Sequence, residues 1–543
     1  MKGKLIWIIL AAAFLIRFIS LANFPSGFNA DEASFGYDAY SILHTGHDQW
    51  GGFLPIVLKS FGDYKAPVYS YLAIPSIAAF GLNVFSTRLP NVLVGSLAVL
   101  TVYLLVRKLS KSEILGNLAA VLLAFNPWSV MISRGAVEAN LIVLFLPLGI
   151  YLFLIKKYSW SALVFGIGMF TYHSAKVITP VVVLGLLAIY KDDLVKIGFK
   201  KIIPAALIFT LFLLGMIYTF KVGGGARISE RSITDGALEQ GFQERMAAIS
   251  KGEGSFLSKL LHNKYQVIAV RFVDNYLQYS SPKFLFENGA GDGSYAMIPG
   301  IGIIYVFEGL LFVGILPFIL LDKKHRNIIL GLFLWLLLSP IPSALASGVG
   351  YSGNRASAMM PVVQILEAFG GMGWYLLLKR FNRKVFFGLT AAFAVLMIFE
   401  IVGFTKAYFK LPSNTVLRQM DYGNLEVMAW LAQNSNGKNI ILSRSLSEPQ
   451  IFVAFADRWN PKDYQLSTKN WNVETWVDQI PEYKLGQYTI ESVNWKNSIN
   501  SLVVVRADEL PNNQNPTKTF YLPDGTPNIY IVDTSQKTYA KAE

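Results

Sequence analysis

The stretch LIWIILAAAFLIRFISLANFPSGFNADEASFGYDAY, residues 5–40, sets the frame for the whole chain. Residues 5–22 form an apolar run interrupted by a single charge, Arg17. A helix of roughly 20 apolar residues crosses the hydrocarbon core of a bilayer, so the run is a candidate span. Two adjacent carboxylates, Asp31 and Glu32, follow shortly after it. What they do depends on which side of the membrane they face. The leading MKGK also suits a secretory signal, but no A-x-A-like cleavage pattern follows and many apolar runs come later. The expectation is an uncleaved first helix.

The rest of the sequence points the same way. The chain has 543 residues, is 53% hydrophobic and 15% charged, and has a mean hydropathy of +0.42. Soluble domains carry about 25% charged residues, so a polytopic membrane protein is expected. Cysteine is absent, which excludes disulfides, thiol nucleophiles and thiolate metal sites. The net charge of +13 is assigned to cytoplasmic loops rather than to nucleic acid.

Eleven spans are expected, at about 5–22, 88–106, 113–130, 137–155, 160–172, 176–190, 202–220, 297–321, 328–346, 357–378 and 385–404. Alternate short connections are unequal in charge. With the N-terminus inside, the cytoplasmic set holds eighteen Lys and Arg, from Lys2 and Lys4 to Arg383 and Lys384. The short outer connections hold three, Arg134, Lys176 and Arg355. The positive-inside rule then gives N-in, C-out.

Three larger pieces fall outside: a first loop at about 23–87, a long loop at about 221–296 and a tail from about 405 to 543. The tail changes character. NIILSRS, SLVVVRA and NIYIVD read as short buried strands, DYGNLEVMAWLAQN as a helix and LPDGTP as a turn. A small extracytoplasmic α/β domain is expected over 405–543, after a membrane catalytic domain over 1–404. The long loop opens on glycines and is expected to be mobile in part. Its stretch 255–279 reads as amphipathic interfacial helices, with His262 among them. No repeat of fixed period is present.

Polar groups concentrate at the outer ends of the spans: Asp31, Glu32, Asp63, Lys65, Arg88, Arg134, Glu138, His173, Lys176 and Arg355. Singly, each suits an interface anchor; together on one side they suit a site. Asp31 and Glu32 read as a short loop leading into an interfacial helix, SFGYDAYSIL. Adjacent residues point in different directions, so the two are expected to do different jobs. Lys65, in SFGDYKAPVYSYL, is a cation among aromatics and suits a lipid phosphate near the headgroups. His44 and His47, with Asp48, have ligand-like spacing, but H-x-x-H alone is a weak signal.

NADEASFGYDAYSILHTGHDQWG, DYKAPVYSYL and FSTRLPNVLVGSLAVLTVYLLVRKL resemble the superfamily of dolichyl-phosphate-mannose–protein mannosyltransferases and aminoarabinose transferases, in its bacterial form. NPWSVMISRGAVEANL, FTYHSAKVITPVVVL, YSSPKFLFENGAGDG and GNRASAMMPVVQILEAFGG resemble its later blocks, so the resemblance covers residues 1 to about 405. It implies a GT-C membrane fold, a polyprenyl-phosphate sugar donor and an active site on the extracytoplasmic face of a bacterial-type plasma membrane. By the same resemblance Asp31 is similar to the catalytic base, with Glu32 beside it. Lys65 matches the lysine that contacts the lipid phosphate, with Arg355 and Arg134 as further donor-binding cations. Glu138, His173, Asp63 and Tyr64 are expected in the cavity or at the acceptor. Tyr64 stands where aminoarabinose transferases often carry a carboxylate, so no metal ligand is assigned and a divalent metal is left open.

The expected reaction needs one base. Phosphate is a good leaving group, so a single displacement by an acceptor hydroxyl, deprotonated by Asp31, inverts the anomeric centre without a general acid. The acceptor is a protein, lipid or glycan hydroxyl; no nucleic-acid partner is expected. Two rival readings are a lipid-linked glycan ligase or polymerase, and a secondary transporter. Transporters tend to show paired halves and midplane charges.

Overall fold

The computed structural model describes residues 3–224, 232–289, 296–346, 353–473, 480, 482–512 and 514–536. The chain forms two compact units. One contains Met1–Ile19, Asn91–Ser133 and Val137–Phe409; the other contains Ser20–Pro90, Arg134–Ala136 and Lys410–Glu543.

The first unit is helical. A helix falls within each expected span, from Leu5–Phe18 to Arg383–Tyr408. Among the described residues, five helices can cross a bilayer by length and composition: Val84–Ser110, Lys200–Val222, Lys323–Ala344, Ser357–Leu378 and Arg383–Tyr408. Leu5–Phe18, Glu113–Phe125, Glu138–Leu154, Ala175–Ile189 and Val306–Leu321 are shorter apolar helices. Arg383–Tyr408 buries none of its most apolar window, and Val395, Ile398 and Phe399 lie bare. Such a surface is stable only against lipid, so the protein is an integral membrane protein. Interior crossings depend on small residues. A Cβ on Gly370 would overlap the carbonyl of Leu311, and one on Gly373 would overlap that of Gly314. Arg17 is fully buried, but its guanidinium donates to the carbonyls of Ala13, Leu123 and Ala124 and to Ser129 Oγ, at 2.8–3.3 Å. Those bonds satisfy the carbonyl end of the Glu113–Phe125 helix, which explains a charge inside the first apolar run.

The amphipathic stretch in the long loop forms two helices, Ser255–Leu261 and Lys264–Gln278. His262 caps the first and pairs with Glu253 at 3.1 Å. The loop's third opening glycine begins a segment, 225–231, that lies outside the described residues.

The second unit joins the first outer loop to the tail. Its six-stranded sheet has the order β4-β5-β3-β6-β8-β7, with β3 Asn439–Ser443, β4 Glu482–Leu485, β5 Tyr488–Glu491, β6 Ser501–Arg506, β7 Lys518–Tyr521 and β8 Pro527–Asp533. β3 pairs in parallel with β5 and β6, while the outer pairings are antiparallel. A short antiparallel hairpin, β1 Leu58–Ser60 and β2 Asp63–Lys65, comes from the loop. One core holds Phe28, Ala33, Tyr37 and Phe61 from the loop together with Leu442, Phe452, Phe455 and Ile490 from the tail. The Phe28 and Phe455 rings meet at a tilt with centroids 4.9 Å apart, and Tyr37 donates to the Trp459 carbonyl at 3.0 Å. The loop therefore folds on the tail rather than on itself.

Candidate active site

Asp31 and Glu32 occupy the first turn of the helix Ala30–Thr45 instead of a loop before it. The reason is local. Asn29 accepts from the Glu32 amide at 3.0 Å, and the Glu32 carboxylate accepts from the Asn29 amide at 3.4 Å. This reciprocal capping box starts the helix one residue before Asp31. Two carboxylates in the first turn also suit the positive end of the helix dipole.

The helix turns the two carboxylates apart. Glu32 is 1% exposed and forms a bidentate pair with the fully buried Arg88, whose Nε and Nη2 each lie 2.8 Å from its oxygens. The Ala136 amide adds a third strong donor at 2.7 Å. Arg88 spends its remaining protons on the carbonyls of Leu21, Pro25 and Gly27, at 3.2, 2.9 and 2.6 Å. Glu32 is thus tied through Arg88 to the backbone of residues 21–27. Asp31 faces the other way: its side chain is 43% exposed, with the Lys65 ammonium 2.6 Å from Oδ1.

Lys65 ends β2 and is held by its pairing with Leu58. Its head is 8% exposed and lies 5.4 Å from the Phe35 ring centroid, where a cation is favoured by the ring face. Asp63 and Tyr64 precede it on the same strand, both largely buried, and Asp63 accepts from the Tyr64 amide at 2.7 Å. Arg134, fully buried, donates to the Phe24 carbonyl at 3.2 Å. The structure therefore brings Asp31, Glu32, Asp63, Tyr64, Lys65 and Arg134 into one unit. Glu138, His173 and Arg355, each half-buried, belong to the other. Glu138 opens the short turn Glu138–Asn140, and the His173 ring meets Tyr172 edge-on at 5.9 Å.

His44 and His47 do not share a helical turn. Gly46, at φ +72°, closes the helix between them. The His44 ring meets Tyr40, while His47 Nδ1 lies 2.7 Å from the Thr45 carbonyl. Among the described residues no group of three or more His, Cys, Asp or Glu is arranged to hold a metal ion.

Acidic residues of the tail complete the surroundings. Burial pushes the Glu448 carboxyl up; Lys65 opposes this, and Asp31 and Asp63 add to it. Burial likewise pushes Asp421 up to about 7, with Arg506 and the Ala30 amide opposing and Glu448 and Asp31 adding. These shifts put Glu448 and Asp421 in the field of Asp31, which lies hundreds of residues earlier in the sequence. No local pattern in the sequence signals that proximity.

Residues 7–222 match the family model described as dolichyl-phosphate-mannose-protein mannosyltransferase. A curated relative, an uncharacterised protein of Aquifex aeolicus (strain VF5), is 28% identical over 214 residues, 38% of this chain and 49% of the relative. The match thus spans about half of that relative's length. Among solved structures, ArnT from Cupriavidus metallidurans bound to undecaprenyl phosphate covers 98% of both chains at 10% identity and a TM-score of 0.53. The archaeal oligosaccharyltransferase AglB from Archaeoglobus fulgidus covers 84% of this chain and 64% of its own at 15% identity, with a TM-score of 0.48. The likeness to ArnT is one of fold.

Proposed function

We propose, from the mannosyltransferase-family match over residues 7–222 and the ArnT-like fold, that the chain is a membrane glycosyltransferase. It moves a sugar from a polyprenyl-phosphate donor to an acceptor hydroxyl on the extracytoplasmic side. The eighteen-to-three charge bias of the short connections supports that orientation, with the N-terminus inside and residues 405–543 outside. The observation that carries the reading is the exposed Asp31 carboxylate, 2.6 Å from an otherwise buried lysine.

That pair is an incomplete site. A buried ammonium gains most from an anion with several acceptor oxygens, and the donor's phosphate is such an anion. Transfer of Lys65 from Asp31 to the phosphate neutralises the leaving group and frees the carboxylate at the same moment. The acceptor oxygen then attacks the anomeric carbon, and its proton passes to Asp31. The bond from that carbon to the phosphate oxygen breaks, the electron pair leaves with the polyprenyl phosphate, and the configuration inverts. Glu32 does no chemistry in this scheme; with Arg88 it fixes the turn that carries Asp31. Asp63 and Tyr64 hold Lys65 on its strand. Arg134, whose guanidinium is tied to the Phe24 carbonyl, is assigned to the donor side. Phosphate binding by Arg355 and cavity roles for Glu138 and His173 rest on the family resemblance alone.

The test is transfer of label from a panel of polyprenyl-phosphate monosaccharides and lipid-linked oligosaccharides in reconstituted membranes, with Asp31→Asn alongside. The expected result is transfer from a monosaccharide donor by the wild type, and donor binding without transfer by the variant. Undiminished transfer by Asp31→Asn removes Asp31 as the base. Transfer only from oligosaccharide donors replaces this reading with a glycan ligase.

A further inference from the structure

The backbone that presents Asp31 is gripped from the far end of the chain. Met420 and Asp421 follow the short helix Asn414–Gln419, and Asp421 sits in the left-handed region at φ +50°. The turn brings two groups onto residues 27–30. Gly27, at φ +93°, meets the Met420 carbonyl so closely that a Cβ would overlap it. The Asp421 carboxylate accepts from the Ala30 amide at 3.3 Å, which satisfies one of the donors left open at the start of the catalytic helix. Its other oxygen accepts from Arg506 at 3.4 Å, and Asn29 Nδ2 lies 3.8 Å from the Met420 sulfur. Asp421 is 7% exposed. A carboxylate so buried, whose ion pair with Arg506 spans 3.4 Å, is costly to maintain.

We propose that Asp421 is a positioning residue for the transfer reaction: a clamp from the tail that holds the turn bearing Asp31 in its reactive place. The role rests on the reading of Asp31 as the base. Asp421 touches neither donor nor acceptor; it acts by fixing Ala30, one residue away from the carboxylate that does. A loosened turn lets Asp31 drift, and a misplacement of about 1 Å costs on the order of 100-fold in rate.

The charged groups around Asp421 are Arg506 from β6, Glu448 before the helix Pro449–Ala456, and Asp31; Arg418, Asp508 and Glu509 act on Arg506. Protonation of Asp421 breaks the pair with Arg506 and weakens the bond to Ala30. The clamp is therefore closed when the carboxylate is charged and slackens as the pH falls through neutrality.

The experiment compares full-length wild type, Asp421→Ala and Asp421→Asn in lipid nanodiscs by amide hydrogen exchange and by transfer kinetics. In Asp421→Ala, exchange over residues 27–33 is expected to rise about tenfold while β3 and β6 keep their protection. Its kcat is expected to fall roughly 10- to 100-fold, with donor KM within about twofold of wild type. Asp421→Asn is neutral like the protonated acid, so its kcat is expected to stay at the reduced level that the wild type reaches below pH about 7, with no decline of its own there. Wild-type exchange and kcat in Asp421→Ala overturn the clamp. So does faster exchange throughout 410–536, which marks a general fold defect, and so does an Asp421→Asn pH profile that overlays the wild type. A wild type that moves no sugar from any donor sinks the transferase reading, while exchange over 27–33 still decides the clamp.

Discussion

Removal of Arg88 isolates the scaffold beneath Asp31. Arg88 and Glu32 are 0% and 1% exposed, joined by two bonds of 2.8 Å, and three backbone carbonyls complete the arginine's set. Arg88→Met leaves a buried carboxylate with amide donors, from Ala136 at 2.7 Å and Asn29 at 3.4 Å, but without this cation. Breaking one side of a buried pair costs about 3–5 kcal/mol. The Leu21 carbonyl, which is buried, loses its donor as well and adds to that figure. Arg88→Lys keeps the charge but cannot span both oxygens and three carbonyls, and a loss of about 1–2 kcal/mol is expected. Combining Arg88→Met with Glu32→Leu should cost less than the sum of the single changes, by at least about 2 kcal/mol, because the double variant strands no charge. The assay is equilibrium unfolding in mixed micelles with tryptophan fluorescence as the signal. Additive losses, or an Arg88→Met loss below about 1 kcal/mol, would refute the reasoning, since either means that the pair is solvated or dispensable.

Lys65→Met should weaken binding of undecaprenyl phosphate roughly 10- to 100-fold, and Lys65→Arg should restore part of it, measured by calorimetric titration into nanodiscs; equal affinity in all three proteins would move the phosphate elsewhere. Asp38 gives a pH prediction: burial, then the Asp48 charge, pushes its carboxyl up to about 8 against the Gln49 hydrogen bonds and Lys65. The native state keeps a proton that the unfolded chain gives up above about pH 4, so stability should fall as pH rises from about 4 to about 8 and level off beyond. Asp38→Asn should flatten that slope by up to about 1.4 kcal/mol per pH unit, and an unchanged slope in unfolding curves across the window would rule it out.

Sequence and structure agree where an unbroken apolar run carries the signal. Apolar length alone placed a helix in every expected span. The runs NIILS and SLVVVR became the central parallel strands β3 and β6, because short unbroken runs of β-branched and aliphatic residues, three in the first and four in the second, suit a strand buried on both faces. Less was visible where the signal was mixed. β4 and β5, in EYKLGQYTIE, alternate charged and apolar residues around Gly486 at φ +57°, and so short a hairpin passes easily for loop. The capping pattern Asn29-x-x-Glu32 was in the sequence, yet the two carboxylates read as loop because the preceding apolar run had ended at 22.

The divergence of the Asp31 and Glu32 side chains was legible in kind but not in detail. Adjacency required that the two side chains diverge; it did not say which faced inward. That was decided by Arg88, Ala136 and the carbonyls of 21–27, groups distributed over more than 100 residues. The hold on Ala30 by Asp421 spans 391 positions. Neither partner choice leaves a trace in composition, period or motif spacing, since a lone Asp after a helix is ordinarily a turn residue. What exposes them is a shared core. Once Phe28, Tyr37 and Phe61 are buried among Phe452, Phe455 and Tyr464, the loop cannot order itself without the tail. The entropy lost in fixing its backbone, about 1–2 kcal/mol per residue, is offset only by that burial. The geometry of Asp31 is therefore a property of residues 410–536 as much as of the loop that contains it.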